Sequence, residues 1–316
     1  MQISANGIAI EVDDQGPPSA EPVLLIMGLG MQLTGWPDEL VRLLVAQGFR
    51  VIRFDNRDMG LSQGFDHLGV PNMPWQAMRF AMHLPVRTAY SLNDMAADAL
   101  GVLDALGIAR AHICGASMGG MIAQHIAAEQ AHRVASLSLM MTTSGSRRLP
   151  QASASVRAAL LSRPDSRNMG DAVAYLTRII GIIGSPGYLP EPAALQARVQ
   201  AMVQRAWRPK GTLRQLVAVA ADGDRSAMLS RIVAPTHVIH GMADPLVPVA
   251  SGRDLAQRIA NATLDLIPGM GHDLPVALLP RFADGIAANA RRAPIVAAPS
   301  TPTSAPISAP ISAPPP

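Results

Sequence analysis

The sequence predicts an α/β protein in which a mostly parallel, doubly wound sheet is interrupted by an inserted helical cap. Three observations support this fold class. Short apolar runs alternate with amphipathic helical stretches up to residue 140 and again after residue 235. Between these two parts the apolar spacing is helical, without a strand-like run. The last 24 residues are mainly Ala, Pro, Ser and Thr and follow neither pattern.

Apolar spacing and boundary residues predict each element of the first part. The alternating run at 2–12 contains Asn6-Gly7, a dipeptide that favours a tight hairpin turn. Ser91 is suited to cap a helix that carries Asp94 at its third position. The unbroken apolar run at 23–27 is typical of a strand buried on both faces. We predict strands at 23–27, 50–54, 110–114 and 134–140, and helices at 38–47, 92–106 and 120–128.

The strand rhythm stops after Ser144, which indicates a separate helical unit. The helical runs that follow are best explained as a cap over a site on the sheet. The prolines of the carboxyl-terminal tail lack backbone donors, and the tail is too polar to bury a core, so we expect it to be disordered. The predicted units are the first part of the core at 1–145, the cap at 146–230, the second part of the core at 231–292 and the tail at 293–316. Helices are predicted at 171–183, 193–207, 212–221, 249–259 and 278–290, and strands at 236–240 and 263–267.

The charge distribution argues against a nucleic-acid-binding protein. The formal net charge is +3, but Lys210 is the only lysine and the arginines are scattered along the chain. Nucleic-acid-binding proteins concentrate positive charge on one face and place aromatic side chains between the charges. Only 3% of the residues are aromatic. We therefore expect no nucleic-acid partner.

We expect a cytoplasmic protein without a membrane partner. The first residues lack the basic and apolar regions of a signal peptide. No run approaches the roughly 20 apolar residues that span a bilayer. Cys114 is the only cysteine, so an internal disulfide is impossible, and its position in a predicted strand indicates a buried, unreactive thiol. The sequence predicts no particular oligomeric state.

A strand, a sharp turn and a helix surround Ser117 in the motif Gly115-Ala116-Ser117-Met118-Gly119. A G-x-S-x-G motif in this context is typical of a nucleophile elbow. The glycines allow the sharp turn and remove side chains that would collide with the neighbouring strand and helix. The alternative is a glycine-rich turn without chemistry, but the flanking strand and helix favour a nucleophilic serine.

A serine nucleophile needs a histidine base and a carboxylate that orients it. Asp244 directly follows the predicted strand at 236–240, and His272 directly follows the strand at 263–267. Both therefore lie at the carboxyl edge of the sheet, where ligands bind in such folds. A plain turn aspartate and a surface histidine are the alternatives. His240 ends a strand, which favours a packed side chain, and Asp273 is expected to point away from the base.

An oxyanion formed on the substrate requires two hydrogen-bond donors. We assign one to the backbone N–H of Met118, directly after the nucleophile. The second is expected from Leu29, which lies between Gly28 and Gly30 in the loop after the strand at 23–27. An ordinary glycine turn is the alternative for this loop.

These motifs closely resemble the α/β-hydrolase superfamily over residues 2–291. The resemblance rests on the elbow, the loop Asp55-x-Arg57-x-x-Gly60-x-Ser62, the Gly-x-x-Asp-Pro around Asp244 and the Gly-His at 271–272. Met27-Gly28, where many relatives have His-Gly, and Trp36-Pro37-Asp38-Glu39 are similar to the esterase branch that includes aclacinomycin methylesterase. The resemblance implies an α/β-hydrolase fold and a carboxylesterase.

The sequence therefore predicts a serine hydrolase that cleaves a small or medium-sized apolar ester through an acyl-enzyme. Its expected partner is a small-molecule ester, and neither a metal nor an organic cofactor is required. A lactonase, a C–C bond hydrolase, an acyltransferase and a cofactor-free haloperoxidase use the same triad and remain alternatives, because fold does not decide among them. A non-catalytic small-molecule receptor with the same fold is an alternative of a different class.

Overall fold

Eight strands of one sheet form the centre of the molecule in the computed structural model, which describes residues 1–162, 168–293 and 295. Their spatial order is β1-β2-β4-β3-β5-β6-β7-β8. The β1–β2 and β2–β4 pairs are antiparallel and the remaining neighbours are parallel, so the predicted mostly parallel sheet is confirmed. The strands are β1 (Gln2–Ala5), β2 (Ile8–Gln15), β3 (Glu21–Ile26), β4 (Phe49–Phe54), β5 (Ala111–Ala116), β6 (Val134–Met140), β7 (Thr236–Gly241) and β8 (Thr263–Ile267).

Helices cover the sheet and connect its strands. A capping box begins α3, in which Ser91 and Asp94 bond reciprocally to each other's backbone N–H, as the sequence predicts. In the described residues the α-helices are α1 (Asp38–Ala46), α2 (Met73–Ala81), α3 (Leu92–Ala105), α4 (Met118–Glu129), α5 (Ala154–Leu161), α6 (Met169–Ile183), α7 (Pro192–Arg205), α8 (Pro209–Asp222), α9 (Ser226–Leu229), α10 (Ala250–Arg258) and α11 (Leu279–Ala290). Short 3₁₀ helices lie at Leu33–Gly35, Asp66–Leu68, Ala131–Arg133 and Val276–Leu278.

The core has two layers, one on each face of the sheet. In β3, Leu24 and Ile26 pack against the layer that contains α3 and α4, while Val23 and Leu25 pack against the layer of α1 and α11. Every one of these side chains is fully buried. This two-sided burial explains why the strand is an unbroken apolar run rather than an alternating one.

Helices α5 to α9 lie between β6 and β7, within the region predicted as the cap. Helices α6 and α7 pack on each other through a small apolar cluster of Ala172, Leu195, Val199 and Val203. No described residue of this region belongs to a strand. The exact division of the chain at 145 and 230 stays a prediction.

Three helices, α2, α5 and the short α9, arise where the sequence pattern predicts none. Helix α2 lies between the predicted strand at 50–54 and the predicted helix at 92–106, and not one of its residues is buried. Its large apolar side chains Trp75, Met78 and Phe80 are exposed, so the helix does not belong to the buried core that the predicted elements follow. Its start is fixed instead by Asn72, whose side chain accepts from the Trp75 N–H, and by proline in the first turn.

The predicted tail at 293–316 lies outside the described residues except for Ala293 and Ile295. The Ile295 N–H donates to a Glu21 carboxylate oxygen at 2.8 Å. Among the helices of the described residues, none is long and apolar enough to cross a membrane.

Candidate active site

Ser117 occupies a strained turn between β5 and α4. Its backbone angles are φ 54° and ψ −119°, a conformation that side-chain-bearing residues rarely adopt. The turn is held on both sides, because the Ser117 N–H donates to the Met140 carbonyl at 2.9 Å and the Thr142 hydroxyl donates to the Ser117 carbonyl at 2.7 Å. This geometry places a partly exposed hydroxyl at the carboxyl edge of the sheet.

Both glycines of the motif are required by close backbone contacts. A Cβ atom on Gly119 would lie 2.0 Å from the Ile26 carbonyl oxygen, and one on Gly115 would lie 2.2 Å from the Gly119 carbonyl oxygen. Real Cβ atoms do not approach backbone atoms this closely. Helix α4 can therefore pack onto β3 and β5 only because these two side chains are absent.

The structure brings Ser117, His272 and Asp244 together in a chain of two hydrogen bonds. His272 Nε2 lies 3.0 Å from Ser117 Oγ, and His272 Nδ1 lies 2.7 Å from Asp244 Oδ2. The aspartate and the histidine are buried. A carboxylate on Nδ1 stabilises the Nδ1–H tautomer, which leaves Nε2 free to accept the serine proton.

Backbone contacts fix the two loops that carry Asp244 and His272. Asp244 Oδ1 accepts from the N–H groups of Leu246 and Val247 at 2.9 and 2.8 Å, which turns Oδ2 towards the histidine. The His272 N–H donates to the Ile183 carbonyl at 2.7 Å, at the end of α6. The cap thus contributes directly to the position of the histidine.

Leu29 and Met118 have backbone N–H groups that donate to no other group of the described residues. Met118 is the first residue of α4, where helical N–H groups lack intrahelical partners. Leu29 follows Gly28, whose added Cβ would lie 3.1 Å from Ser117 Cβ, so this loop directly contacts the serine. Both predicted donors therefore lie next to Ser117.

The remaining candidate groups lie in other environments. His240 is fully buried, its Nε2 is 2.8 Å from the Val247 carbonyl, and burial lowers its pKa. Asp273 bonds to the Ser185 hydroxyl, which in turn accepts from the Gly271 N–H. Burial raises the pKa of the Cys114 thiol, in keeping with an unreactive side chain.

A buried ion pair that the sequence did not reveal joins the cap to the core. Arg214 of α8 forms two hydrogen bonds, at 2.7 and 2.8 Å, with Asp58 in the loop after β4. Burial alone raises the pKa of Asp58, but the bonds from Arg214, the Phe65 N–H and the Tyr90 hydroxyl outweigh it and hold that pKa below its ordinary value. An arginine in an otherwise amphipathic helix gives no signal by which sequence could have identified this pairing.

The space between the cap and the loop after β3 is small in this conformation. It is about 10 Å³, room for about one water molecule. Its lining includes Gly30, Met59, Leu176, Trp207 and Thr212. A larger groove of about 600 Å³ lies between α6 and α7 and contains none of the three clustered residues. None of the three clustered residues lines the smaller space either.

In the part of the chain that the structure describes, no group of three or more His, Cys, Asp or Glu side chains is arranged to hold a metal ion. The groups of this site that can take part in chemistry are the Ser117 hydroxyl, the His272 imidazole, the Asp244 carboxylate and the backbone amides next to Ser117.

Sequence and structure comparisons identify similar proteins. A family model described as alpha/beta hydrolase fold matches residues 21–175. The chain is 30% identical to rhodomycin D methylesterase DnrP of Streptomyces peucetius, over 93% of this chain and 98% of the relative. It is also 30% identical to a 2-hydroxy-6-oxononadienedioate/2-hydroxy-6-oxononatrienedioate hydrolase of Cupriavidus pinatubonensis, over 83% of this chain and 84% of the relative.

The fold is also similar to that of solved structures. A meta-cleavage product hydrolase from Pseudomonas fluorescens matches with a TM-score of 0.72 and 21% identity, over 93% of this chain and 98% of that chain. At this identity the likeness concerns the fold alone.

Proposed function

The chain belongs to the alpha/beta hydrolase fold family, and we propose that it is a serine hydrolase that cleaves carboxylic esters through an acyl-enzyme. The observation that carries this proposal is the chain of hydrogen bonds from Ser117 through His272 to Asp244, 3.0 and 2.7 Å long. Nucleophile, base and orienting acid stand in the order and spacing that acyl transfer requires.

In the proposed mechanism, Ser117 Oγ attacks the ester carbonyl while His272 Nε2 accepts its proton. Asp244 remains ionised and stabilises the imidazolium that forms. The tetrahedral intermediate then collapses, and the proton on Nε2 passes to the departing alcohol. A water molecule, deprotonated by the same nitrogen, attacks the acyl-enzyme and releases the carboxylic acid.

The N–H groups of Leu29 and Met118 are proposed to bind the oxyanion. Both are unpaired within the described residues and lie next to Ser117, so they are available to an oxyanion that forms there. Removing a single donor of this kind costs about 10²- to 10³-fold in kcat in comparable sites. The positive end of α4, which begins at Met118, adds to the stabilisation.

We further propose that the substrate is a small or medium-sized apolar ester. The lining beside the Leu29 loop includes Met59, Leu176 and Trp207. Similarity to a methylesterase over nearly the whole chain supports methyl esters as the first natural class to test. The similarity to a dienedioate hydrolase keeps C–C bond hydrolysis as the second candidate, since that relative is equally similar in percentage identity.

Turnover of p-nitrophenyl esters of increasing acyl length, with Ser117→Ala as the control, tests this proposal. The wild-type protein should hydrolyse the short esters, and Ser117→Ala should lower kcat by a factor on the order of 10⁶. Methyl esters, lactones and dienedioate substrates compared next would rank the alternatives. If the wild-type protein turned over none of these compounds, the receptor alternative would be favoured. Equal rates for wild type and Ser117→Ala would remove the serine from the mechanism.

A further inference from the structure

Gln215 is a fully buried residue of α8, and both the oxygen and the nitrogen of its side-chain amide form hydrogen bonds. Its Oε1 accepts from the Gly30 N–H at 2.9 Å, and its Nε2 donates to the Arg57 carbonyl at 2.9 Å. A backbone N–H can only donate and a carbonyl can only accept, so these partners leave the amide one orientation. Gln215 therefore bridges the cap to two separate loops of the core.

One of these loops is the turn that carries the proposed oxyanion donor Leu29. The Met31 N–H donates to the Gly28 carbonyl at 3.2 Å, which closes a turn with Leu29 and Gly30 at its centre. Gly30 has φ +70°, and a Cβ on it would lie 2.9 Å from Thr212 Cγ2 of α8. Helix α8 thus packs directly against this turn, and the Gln215 amide supplies the hydrogen bond that its Gly30 N–H makes.

The other loop provides a rigid attachment point. The Arg57 guanidinium forms two hydrogen bonds, at 2.5 and 2.7 Å, with the buried Asp98 carboxylate of α3. The Arg57 carbonyl that accepts from Gln215 consequently belongs to a residue fixed against the core. The core therefore helps to hold Gln215 in place, and through Gln215 it also holds Gly30.

Helix α8 is held independently of Gln215. Arg214 pairs with Asp58, and Arg208, at the start of the helix, donates to the Gly60 carbonyl at 2.7 Å. Loss of the Gln215 amide would therefore leave the helix in place and release the turn. This separates an effect on the turn from a general loosening of the cap.

We infer that Gln215 is a positioning residue that holds the Leu29–Gly30 turn in the shape required for oxyanion binding. The inference rests on the proposed function, since it names a determinant of the same site. On this inference, the cap covers the substrate and also positions the turn that binds the oxyanion in the transition state. A displacement of about 1 Å at a site of this kind costs about 100-fold in rate.

The test compares Gln215→Met with Gln32→Met, a matched substitution of a second buried glutamine. Gln32 Nε2 donates to the carbonyls of Met202 and Ala206 in the cap and its Oε1 accepts from Arg205 at 2.6 Å, but its side chain makes no bond to the Leu29–Gly30 backbone. Both variants therefore lose hydrogen bonds between cap and core, and only Gln215→Met removes the hydrogen bond to the Gly30 N–H. Measurements are kcat and KM on a short p-nitrophenyl ester, inactivation by diethyl p-nitrophenyl phosphate, and thermal melting.

Gln215→Met should lower kcat about 10- to 100-fold and change KM less than about threefold. Inactivation by the phosphate triester should slow in parallel, because its phosphoryl oxygen uses the same donors. Gln32→Met should lower kcat by less than about threefold. If Gln215→Met does not fold, Gln215→Asn, which is too short for both bonds, takes its place with the same thresholds.

A Gln215 variant with kcat within about threefold of wild type would overturn the inference, as would an equal loss in Gln32→Met. These outcomes differ from failure of the proposed function, in which the wild-type protein itself hydrolyses no ester and Ser117→Ala makes no difference.

Discussion

Ser117 has a strained backbone conformation that the surrounding fold holds in place. Its positive φ is unfavourable by about 1–3 kcal/mol for a side-chain-bearing residue, so contacts with the neighbouring strands and helix must offset this cost. The bonds to Met140 and Thr142 do so. The strained turn aims the hydroxyl at His272 and keeps the adjacent Met118 N–H free.

Two buried histidines close to Asp244 allow a matched comparison of function. His272→Ala should be about as damaging to kcat as loss of the serine, on the order of 10⁶-fold, because it removes the proton acceptor. His240→Ala should lower the melting temperature more than it lowers kcat, since His240 bonds to the Val247 carbonyl and lies 3.7 Å from Asp244 Oδ2. Steady-state kinetics and thermal melts of both variants make the measurement. Equal kinetic losses would contradict the assignment of the base.

Individual residues of the site differ in how far sequence could predict them. Ser117, Asp244 and His272 each follow a recognisable strand, and their chemistry demands a fixed order along the chain, so the sequence predicts all three. Gln215 and Arg214 could not be predicted. Their partners lie about 150 residues or more away, and an amide or guanidinium in a helix has no spacing that identifies a distant backbone group.

At the scale of elements, the carboxyl ends of β3, β5, β7 and β8 bring together loops that are far apart in sequence. Helix α4 approaches β3 closely, since Gly119 leaves no room for a side chain beside the Ile26 carbonyl. This close packing fixes the start of α4, and with it Ser117, against the strand that leads to the proposed oxyanion loop.

Gly119→Ala should therefore prevent normal folding, because its Cβ would lie 2.0 Å from a backbone oxygen that cannot move without shifting β3. Gly181→Ala is the matched control. Gly181 is exposed in α6, no atom lies within 4 Å of its added Cβ, and alanine there should stabilise the helix by up to about 1 kcal/mol. Soluble yield and thermal melting compare the two. A Gly119→Ala protein that melts within two or three degrees of wild type would contradict this packing.

Elements with two-sided burial were the easiest to predict from sequence. The strand at 134–140 has the predicted bounds, and every one of its residues is buried. The edge strand at 263–267 also has the predicted bounds, although only Ile267 is buried there. Helices α2, α5 and α9 were not predicted. Helix α2 has no buried residue, and its amino-terminal cap is a local contact that hydrophobic spacing does not report.

At the scale of the whole molecule, burial of neutral histidines links stability to pH. Burial lowers the pKa of His112, His237 and His240 below the ordinary value. Below about pH 6.5 these histidines therefore bind protons in the unfolded chain but stay neutral in the folded protein. Each histidine that is protonated only in the unfolded chain lowers the free energy of unfolding by about 1.4 kcal/mol for each pH unit of acidification.

The free energy of unfolding should consequently fall between pH 7 and pH 5, before most carboxylates titrate. His240→Gln should show a smaller fall in the free energy of unfolding, since it removes one histidine that is protonated only in the unfolded chain. Urea denaturation of both proteins at the two pH values measures this difference. Equal or greater stability at pH 5, or an unchanged fall in the variant, would contradict the burial of neutral imidazole as the cause.

Truncation after Arg292 should leave the core nearly unaffected. The removed segment includes two described hydrogen bonds. The Ala293 N–H donates to the Ala290 carbonyl at the end of α11, and the Ile295 N–H donates to Glu21, which lies at the start of β3 and away from Ser117. We expect a melting temperature within a few degrees of the full chain and an unchanged kcat/KM. Thermal melts and ester kinetics of residues 1–292 beside the full chain test this. A several-fold fall in kcat/KM would mean that the tail contributes to the site.

Covalent labelling with a fluorophosphonate tests the central claim, that Ser117 is the nucleophile of an ester hydrolase, most directly. The reagent should add once per molecule, peptide mass spectrometry should locate the adduct on Ser117, and hydrolysis of p-nitrophenyl esters should fall in proportion to labelling. Ser117→Ala should take up no label. An adduct on another residue, or a protein fully labelled at Ser117 that still hydrolyses esters, would contradict the account.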